Sequence, residues 1–346
     1  MRPYLSIAIP TYNRGPRLDA ALDAVFGEID RLAPEDAQAT EVVVCSNGST
    51  DTTDEVVRRW MSVRPQLRYF ANERNFGIDE NIRRVAIHAT GTFVRLLSDD
   101  DVLVPGSIVR LMRVLRRRPD VGFLFLNAGT LVEEGGAEGV QAPVLALDEP
   151  ADADGLLTFG PAEFVQAVGV WISFVSSFVV RRELWVDGSD DSAYVGTDLF
   201  LSYKAIDVVA AAGRGCVLPE IAVAARPHFS GSYRIFRAFG PEWRKLLLSH
   251  AVARGLDPAV MDRTWSDSVR TDLFPRIGRA LLSGTFDAKE RRIVLDTLAD
   301  RPALRWRALV LMTVPPRLLQ AAKRLRKQRL RGEASSHPFV PLAGRG

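Results

Sequence analysis

The chain has 346 residues, 47% of them hydrophobic and 25% charged, and a formal net charge of +3. That length holds two ordinary domains or one large one with an appendage, and the balance is that of a globular protein rather than a disordered one. So small a positive excess gives no overall field, and no nucleic-acid partner is expected. Cys45 and Cys216 are the only cysteines and belong to no CxxC or Cys/His pattern. Their scarcity points to a reducing compartment and away from a zinc site or a disulfide framework. The apolar part of the N-terminus is too short for a secretory signal, and no apolar run approaches the roughly 20 residues of a membrane-spanning helix. The longest, Val168 to Val180, contains three serines and reads as core.

Leu5 to Ile9 predicts a buried first strand, with Pro10-Thr11-Tyr12-Asn13-Arg14-Gly15-Pro16 as its turn-rich exit. Leu18, Ala21, Leu22, Val25, Phe26 and Ile29 then fall on one helical face. Glu41 to Cys45 is a second strand leaving through Ser46-Asn47-Gly48-Ser49-Thr50-Asp51, a polar cluster suited to capping the next helix. Leu67 to Ala71 is a third, followed by Asn72-Glu73-Arg74-Asn75-Phe76-Gly77 and a helix through Ile82, Val85 and Ala86. The fourth strand, Thr92 to Leu97, runs into Ser98-Asp99-Asp100-Asp101, after which Pro105 opens a helix in its first turn. Val121 to Leu126 is a fifth. Strands alternating with helices predict an α/β fold with a mainly parallel, doubly wound sheet. Ligands bind outside the carboxyl ends of such strands, and the four polar clusters all lie there. Three adjacent carboxylates repel one another, whereas Mg²⁺ or Mn²⁺ takes one or two carboxylates with substrate phosphates completing its shell. A metal–diphosphate site at a strand end is therefore expected, the competing possibility being a solvated acidic turn.

The second half is less regular. From about 133 to 160 the chain is rich in Gly, Ala, Pro and Asp and reads as a mobile connection. A helix from Pro161 and the apolar segment Trp171 to Val180 restore a core. Asp198, in Gly196-Thr197-Asp198, is placed to cap a helix or to line a pocket. Arg226 to Arg234 mixes cations, hydroxyls and aromatics in a loop composition, with Arg226, His228 and Arg234 among them as candidate donors to phosphates. Glu242 onward predicts a helical C-terminal subdomain. Residues 304–331 form a basic amphipathic segment with Trp306 at its edge, suited to peripheral contact with an anionic membrane surface. Residues 332–346 are expected to be disordered. The expected organisation is thus 1–130, 131–240 with the 133–160 connection inside it, and 241–331.

Five motifs carry a resemblance. Ile9-Pro10-Thr11-Tyr12-Asn13-Arg14, Val44 to Asp51, Asn75-Phe76-Gly77 with Asn81, Ala89-Thr90-Gly91, and Ser98-Asp99-Asp100-Asp101 with Pro105 occur in order over roughly the first 125 residues. The N-terminal half resembles the nucleotide-sugar-binding domain of family 2 glycosyltransferases, the GT-A fold, and the Leu97 to Asp101 form is similar to the abequosyltransferase-like branch. The resemblance implies a nucleoside diphosphate sugar as donor, a glycan or lipid-linked saccharide as acceptor, and a divalent cation, Mn²⁺ or Mg²⁺. It implies that Pro10, Thr11, Tyr12 and Arg14 border the nucleotide, Tyr12 stacking on the base, and that Asn47, Asp51 and Asn75 lie at the base and ribose. Asp99 would contact ribose or sugar, Asp100 the metal, and Asp101 either the metal or the turn itself. Inverting members use a second-domain carboxylate as general base, for which Asp198 is the match and Asp190 and Asp191 the fallback. The chain departs from the family pattern at Ser46 and Thr197, where aspartate and glutamate are usual. The expected location is cytoplasmic, peripheral on the inner face of the cell membrane. A nucleotidyltransferase lacks support because no Gly-rich basic loop follows the first strand, and a dinucleotide oxidoreductase because no GxGxxG does. A non-catalytic sugar-nucleotide sensor or scaffold remains the alternative from outside enzymology.

Overall fold

The computed structural model describes residues 2–134, 137–147, 149–186, 190–226, 234–315, 317–321 and 340–341. The chain forms two compact units. One takes Met1–Gly196, Phe200–Ser230 and Phe339–Gly346, and the other Thr197–Leu199 and Gly231–Pro338.

The first unit is built on one sheet. Its strands are β1 (Leu5–Thr11), β2 (Thr40–Ser46), β3 (Leu67–Ala71), β4 (Phe93–Leu96), β5 (Val102–Leu103), β6 (Phe123–Glu134), β7 (Ala137–Pro143), β8 (Leu157–Phe159), β9 (Phe178–Arg181), β10 (Gly215–Ala225) and β11 (Val340–Pro341). Their order is β11-β7-β6-β9-β4-β1-β2-β3, with β10 alongside β6 and also pairing β5 and β8. The run β3-β2-β1-β4 is parallel throughout. Helices Gly15–Ile29, Thr53–Met61 and Ile78–His88 carry the chain between these strands, as parallel pairing requires. Beyond β4 the pairing becomes mixed, antiparallel at β9 and β7 and parallel again between β6 and β10.

The central strands are buried on both faces, which is why β1 and β2 read as nearly continuous apolar runs. On one face Leu5, Ile7 and Ile9 pack with Leu18, Leu22, Val25 and Phe26 and with Ile108, Leu111 and Leu115 of the Ser107–Arg117 helix. On the other, Ile82, Val85 and Ala86 of the Ile78–His88 helix are buried.

Two local expectations change. Pro105 stands ahead of its helix, which starts at Ser107 behind a left-handed Gly106, because Val102 and Leu103 are drawn into pairing with β10. The 133–160 stretch contains β7, hairpinned against the far end of β6, and the short β8. Ladder hydrogen bonds need no apolar alternation, so weak periodicity hid these strands.

The second unit is helical where described after Ile235, with helices Pro258–Ser268, Phe274–Ser283, Ala288–Thr297 and Pro302–Thr313 around buried Trp243, Trp265, Met261 and Ile277. The sequence marks their ends: Asp257 caps the first, Asp287 and Glu290 form a capping box on the third, and Gly284 closes the second in the left-handed region. Among the described residues no helix is long and apolar enough to cross a membrane.

Candidate active site

Because β1 to β4 are parallel, their carboxyl ends share one edge, and four polar turns leave from it. Pro10 fits there for a backbone reason. Ala8 accepts from Leu97 on the β4 side and Thr11 from Asn47 on the β2 side, so alternation turns Pro10 toward β4, whose ladder with β1 has ended at Leu96. A missing N–H costs no ladder bond at that place.

The acidic turn is the centre of the edge. Asp99, 2% exposed, accepts from Thr11 Oγ1 at 2.6 Å and from Arg14 Nη1 at 2.7 Å. The same Arg14 nitrogen lies 3.1 Å from Asp100 Oδ2, and Arg17 Nη1 lies 3.5 Å from that oxygen. Ser98 Oγ donates to the other Asp100 oxygen at 2.6 Å, and Arg226 Nε donates to the Asp100 carbonyl at 2.9 Å. Asp101 turns away and accepts from the buried Ser176 hydroxyl at 2.6 Å, while Ser176 Oγ accepts from the Ser98 N–H. Burial pushes the Asp101 carboxyl up to about 7, against the pull of Ser176. Burial raises Asp99 too, opposed by Arg14 and Thr11.

The turns after β2 and β3 are locked by amides. Asn47 Nδ2 donates to Asn75 Oδ1 at 2.8 Å and to Gly77 O at 3.0 Å; its Oδ1 accepts from Phe76 N at 3.0 Å and Asn72 Nδ2 at 3.2 Å. That uses every site a carboxamide has. Asn81 continues the network to the Thr11 and Cys45 carbonyls. Gly48 is required here: its φ is +69°, and a Cβ would lie 2.5 Å from the Arg74 backbone. Asp51 clasps two helix starts, accepting from Gly15 N at 2.9 Å and from the Thr53 hydroxyl and N–H. Tyr12 is 42% exposed, with its ring available at the edge.

Residues 6–134 match the family model described as glycosyl transferase family 2. Residues 6–134 are a family 2 glycosyltransferase domain. The chain is 28% identical over 135 residues to the GalNAc(5)-diNAcBac-PP-undecaprenol beta-1,3-glucosyltransferase of Campylobacter jejuni, covering 39% of this chain and 40% of that protein. It is 25% identical over 201 residues to abequosyltransferase RfbV of Salmonella typhimurium, 56% of this chain and 57% of that one. An uncharacterised protein of Mycobacterium tuberculosis aligns over 99% of this chain and 91% of its own length at 24% identity. Among solved structures, S. aureus TarS in complex with UDP-GlcNAc superposes with a TM-score of 0.54 at 15% identity, covering 93% of this chain and 92% of that one. The likeness shows the fold, a GT-A sheet with flanking helices and a helical C-terminal region.

The edge just described lies within these matched residues, 6–134. The implied divalent cation can be tested against it. Asp99 Oδ1 and Asp100 Oδ2 converge on one positively charged nitrogen of Arg14. Two oxygens bracketing a positive charge suit a hard cation held by one or two carboxylates, with donor phosphates completing its shell. Among the described residues no group of three or more His, Cys, Asp or Glu is placed to hold a metal ion, so any cation here would have at most these two carboxylates from the protein. Asp100, the less buried of the two, is the carboxylate that suits it.

The remaining expected residues are less gathered. Asp198 belongs to the helical unit, holds a left-handed φ of +64°, and accepts from Arg234 Nε at 2.9 Å. Few non-glycine residues sit in that region, and those that do cluster at functional positions. Asp191 is tied to Arg83 at 2.7 Å with Lys204 at 3.7 Å, and Asp190 accepts from the Ser192 N–H, both supporting the local turn. His228, Lys323 to Arg331 and residues 332–339 lie outside the described residues. Sequence reasoning missed Ser176 and Arg17. The serines interrupting the Val168 to Val180 run were the available signal for the first; Arg17, one turn beyond Arg14 on an exposed face, offered none.

Proposed function

We propose that this chain transfers a sugar from a nucleoside diphosphate sugar to a glycan or lipid-linked saccharide acceptor, inverting the anomeric centre, in cell-surface polysaccharide or O-antigen type assembly. The observation that carries the reading is the meeting of Thr11, Arg14, Asp99 and Asp100 at the parallel strand ends of a family 2 domain. Tyr12 offers its ring to the base. Asn47, Asn75 and Asp51 hold the turns that shape the base and ribose pocket, because their own polar groups are engaged within the protein. Arg14 and Arg17 present cations to the diphosphate, and Asp99 fixes the direction of Arg14. Asp100, with Asp101 in the same turn, would hold Mn²⁺ or Mg²⁺, which would supply Lewis-acid stabilisation of the leaving diphosphate.

The acceptor hydroxyl needs a base as it attacks. Asp198 is the candidate, its carboxylate oxygen taking the proton while Arg234 orients the side chain. Such assistance is worth about 10²–10⁴-fold. The Campylobacter and Salmonella relatives, named for transfer to an undecaprenol-linked saccharide and for abequosyl transfer, support this class of acceptor and the abequosyltransferase-like branch. An acceptor of that kind sits at a membrane, and residues 304–331 give the chain a means of peripheral contact from the cytoplasmic side.

The experiment is a panel of nucleoside diphosphate sugars with and without Mn²⁺, read by thermal shift and by product. Stabilisation by one donor that requires the cation, with free nucleoside diphosphate formed, is the expected result. Pyrophosphate as product would mean nucleotidyl transfer, and binding without turnover on any acceptor would mean a sensor. Asp100→Ala should keep the fold and abolish turnover; near-normal activity rejects its role.

A further inference from the structure

The Pro302–Thr313 helix is apolar on two sides. Leu304, Ala308 and Met312, spaced four apart, are buried within the helical unit, where the helix packs on Phe274–Ser283 and Ala288–Thr297. On the opposite side Trp306, Leu309 and Val310 are 66%, 38% and 46% exposed. Spacings of three and four place those three on one strip, since a helix turns about 100° per residue. Arg305 and Arg307, both exposed, flank Trp306 by about 100° on either side. An indole with two aliphatic neighbours on the outer face and a guanidinium along each margin is the cross-section of a helix lying in an interface. An exposed apolar strip opposite the buried side needs a second covering surface.

The charge pattern says which. From Arg301 to Gly332 the sequence holds ten Lys or Arg and no Asp or Glu. A protein groove for an apolar helix has no need of so one-sided a charge, whereas an anionic leaflet attracts each cation near its surface. Leu318, 61% exposed beside exposed Arg317, continues the same alternation past the helix.

We propose that the Trp306–Leu309–Val310 face is a docking surface for an anionic phospholipid bilayer, the arginines flanking it lying among the headgroups. The proposal deepens the peripheral contact in the functional reading and is independent of the transfer chemistry, so vesicle binding and donor turnover succeed or fail separately.

The test uses the full chain with vesicles of phosphatidylcholine mixed with phosphatidylglycerol, and of phosphatidylcholine alone, in a flotation assay. The chain should float with the anionic vesicles only, less as salt rises, and its tryptophan emission should shift to the blue. The double variant Trp306→Ser/Leu309→Ser should lower the partition by tenfold or more, about 1.4 kcal/mol, and abolish the blue shift. Its donor-induced thermal shift should be unchanged and its melting temperature should fall by no more than a few degrees, since Trp306 is mostly exposed and Leu309 only partly covered. Undiminished binding by this variant would overturn the proposal, because the cations of 323–331 would then suffice. Failure of the native chain to bind anionic vesicles would overturn it too. A self-association lost in the double variant, without vesicle binding, would assign the face to a second copy of the chain.

Discussion

Replacing Asp99 with alanine separates two neighbouring carboxylates by what they do for the fold. Asp99 is 2% exposed and pairs with Thr11 at 2.6 Å and with Arg14, itself a quarter exposed, at 2.7 Å. Removing one partner of a buried ion pair costs about 3–5 kcal/mol, because the other charge stays desolvated. Arg14 keeps Asp100 at 3.1 Å, and the turn loses one of three like charges, so the lower part of that range applies. The expected loss is about 3 kcal/mol, a large share of the 5–15 kcal/mol typical of a domain. Urea titration should show a lower midpoint with an unchanged slope. Asp100→Ala in the same assay should cost less than about 1 kcal/mol, since Arg14 keeps its closer pair with Asp99 and solvent screens the pair that Asp100 makes with half-exposed Arg17. A Thr11→Val/Asp99→Ala cycle should give a coupling of about 1 kcal/mol. Equal costs for the two aspartates, or an Asp99→Ala loss below 1 kcal/mol, would refute the assignment of Asp99 as the one buried in the turn.

Asn47→Ala strands two donors and two acceptors around the 72–77 loop, so stability should fall by about 2–3 kcal/mol and donor KM should rise more than kcat falls; unchanged KM would mean that the loop does not shape the pocket. Glu41 is buried, which raises its carboxyl, yet bonds from Ser6, the Thr90 backbone and Arg68 together hold it below the ordinary value. A lowered carboxylate stabilises above its unfolded pKa and loses that contribution as pH falls through the folded one, so stability should drop below about pH 4.5 and Glu41→Gln should flatten the slope there. Arg95 is fully buried in β4, none of its guanidinium nitrogens has a hydrogen-bond partner among the described residues, and burial drives its pKa down to about 10. Arg95→Met should therefore be neutral or stabilising by about 1–4 kcal/mol; a loss beyond 2 kcal/mol would show that a buried water satisfies the guanidinium.

Periodicity made the N-terminal half legible. Leu5 to Ile9, Glu41 to Cys45 and Leu67 to Ala71 are strands because apolar runs of that length, set between helical patterns, have few other places to go. The hairpin of β6 and β7 was not legible, since its order comes from ladder bonds between residues with no apolar face to advertise. The motifs carried more than one job. Ala89-Thr90-Gly91 lies at the amino ends of the strands, where Thr90 N–H and hydroxyl bond Glu41 and Gly91 N–H bonds Ser6; a Cβ on Gly91 would lie 2.7 Å from that hydroxyl. Its place beside the chemical motifs in sequence says nothing of distance in space. Asn47, read from sequence as a ligand residue, has its carboxamide filled by loop partners, a fact that depends on where residues 72–77 fold back.

In the sequence, three consecutive aspartates point to a metal because their mutual repulsion calls for a counter-charge. The structure relieves that repulsion by direction. Leaving a strand, successive side chains point to different sides, so Asp99 turns in toward Thr11, Asp100 faces Arg14 and Arg17, and Asp101 reaches Ser176. Each carboxylate thus has a neighbour that tolerates it, and repulsion alone is no argument for a cation. The better argument is convergence: two of the three aim an oxygen each at the same guanidinium nitrogen, so the turn concentrates negative potential at one point facing the strand ends. A ligand bringing two phosphates and its own cation to that point meets Arg14 and Arg17 as donors and Asp100 as an acceptor. Charge on both partners is then matched, which neither an acidic turn nor a basic loop alone would achieve.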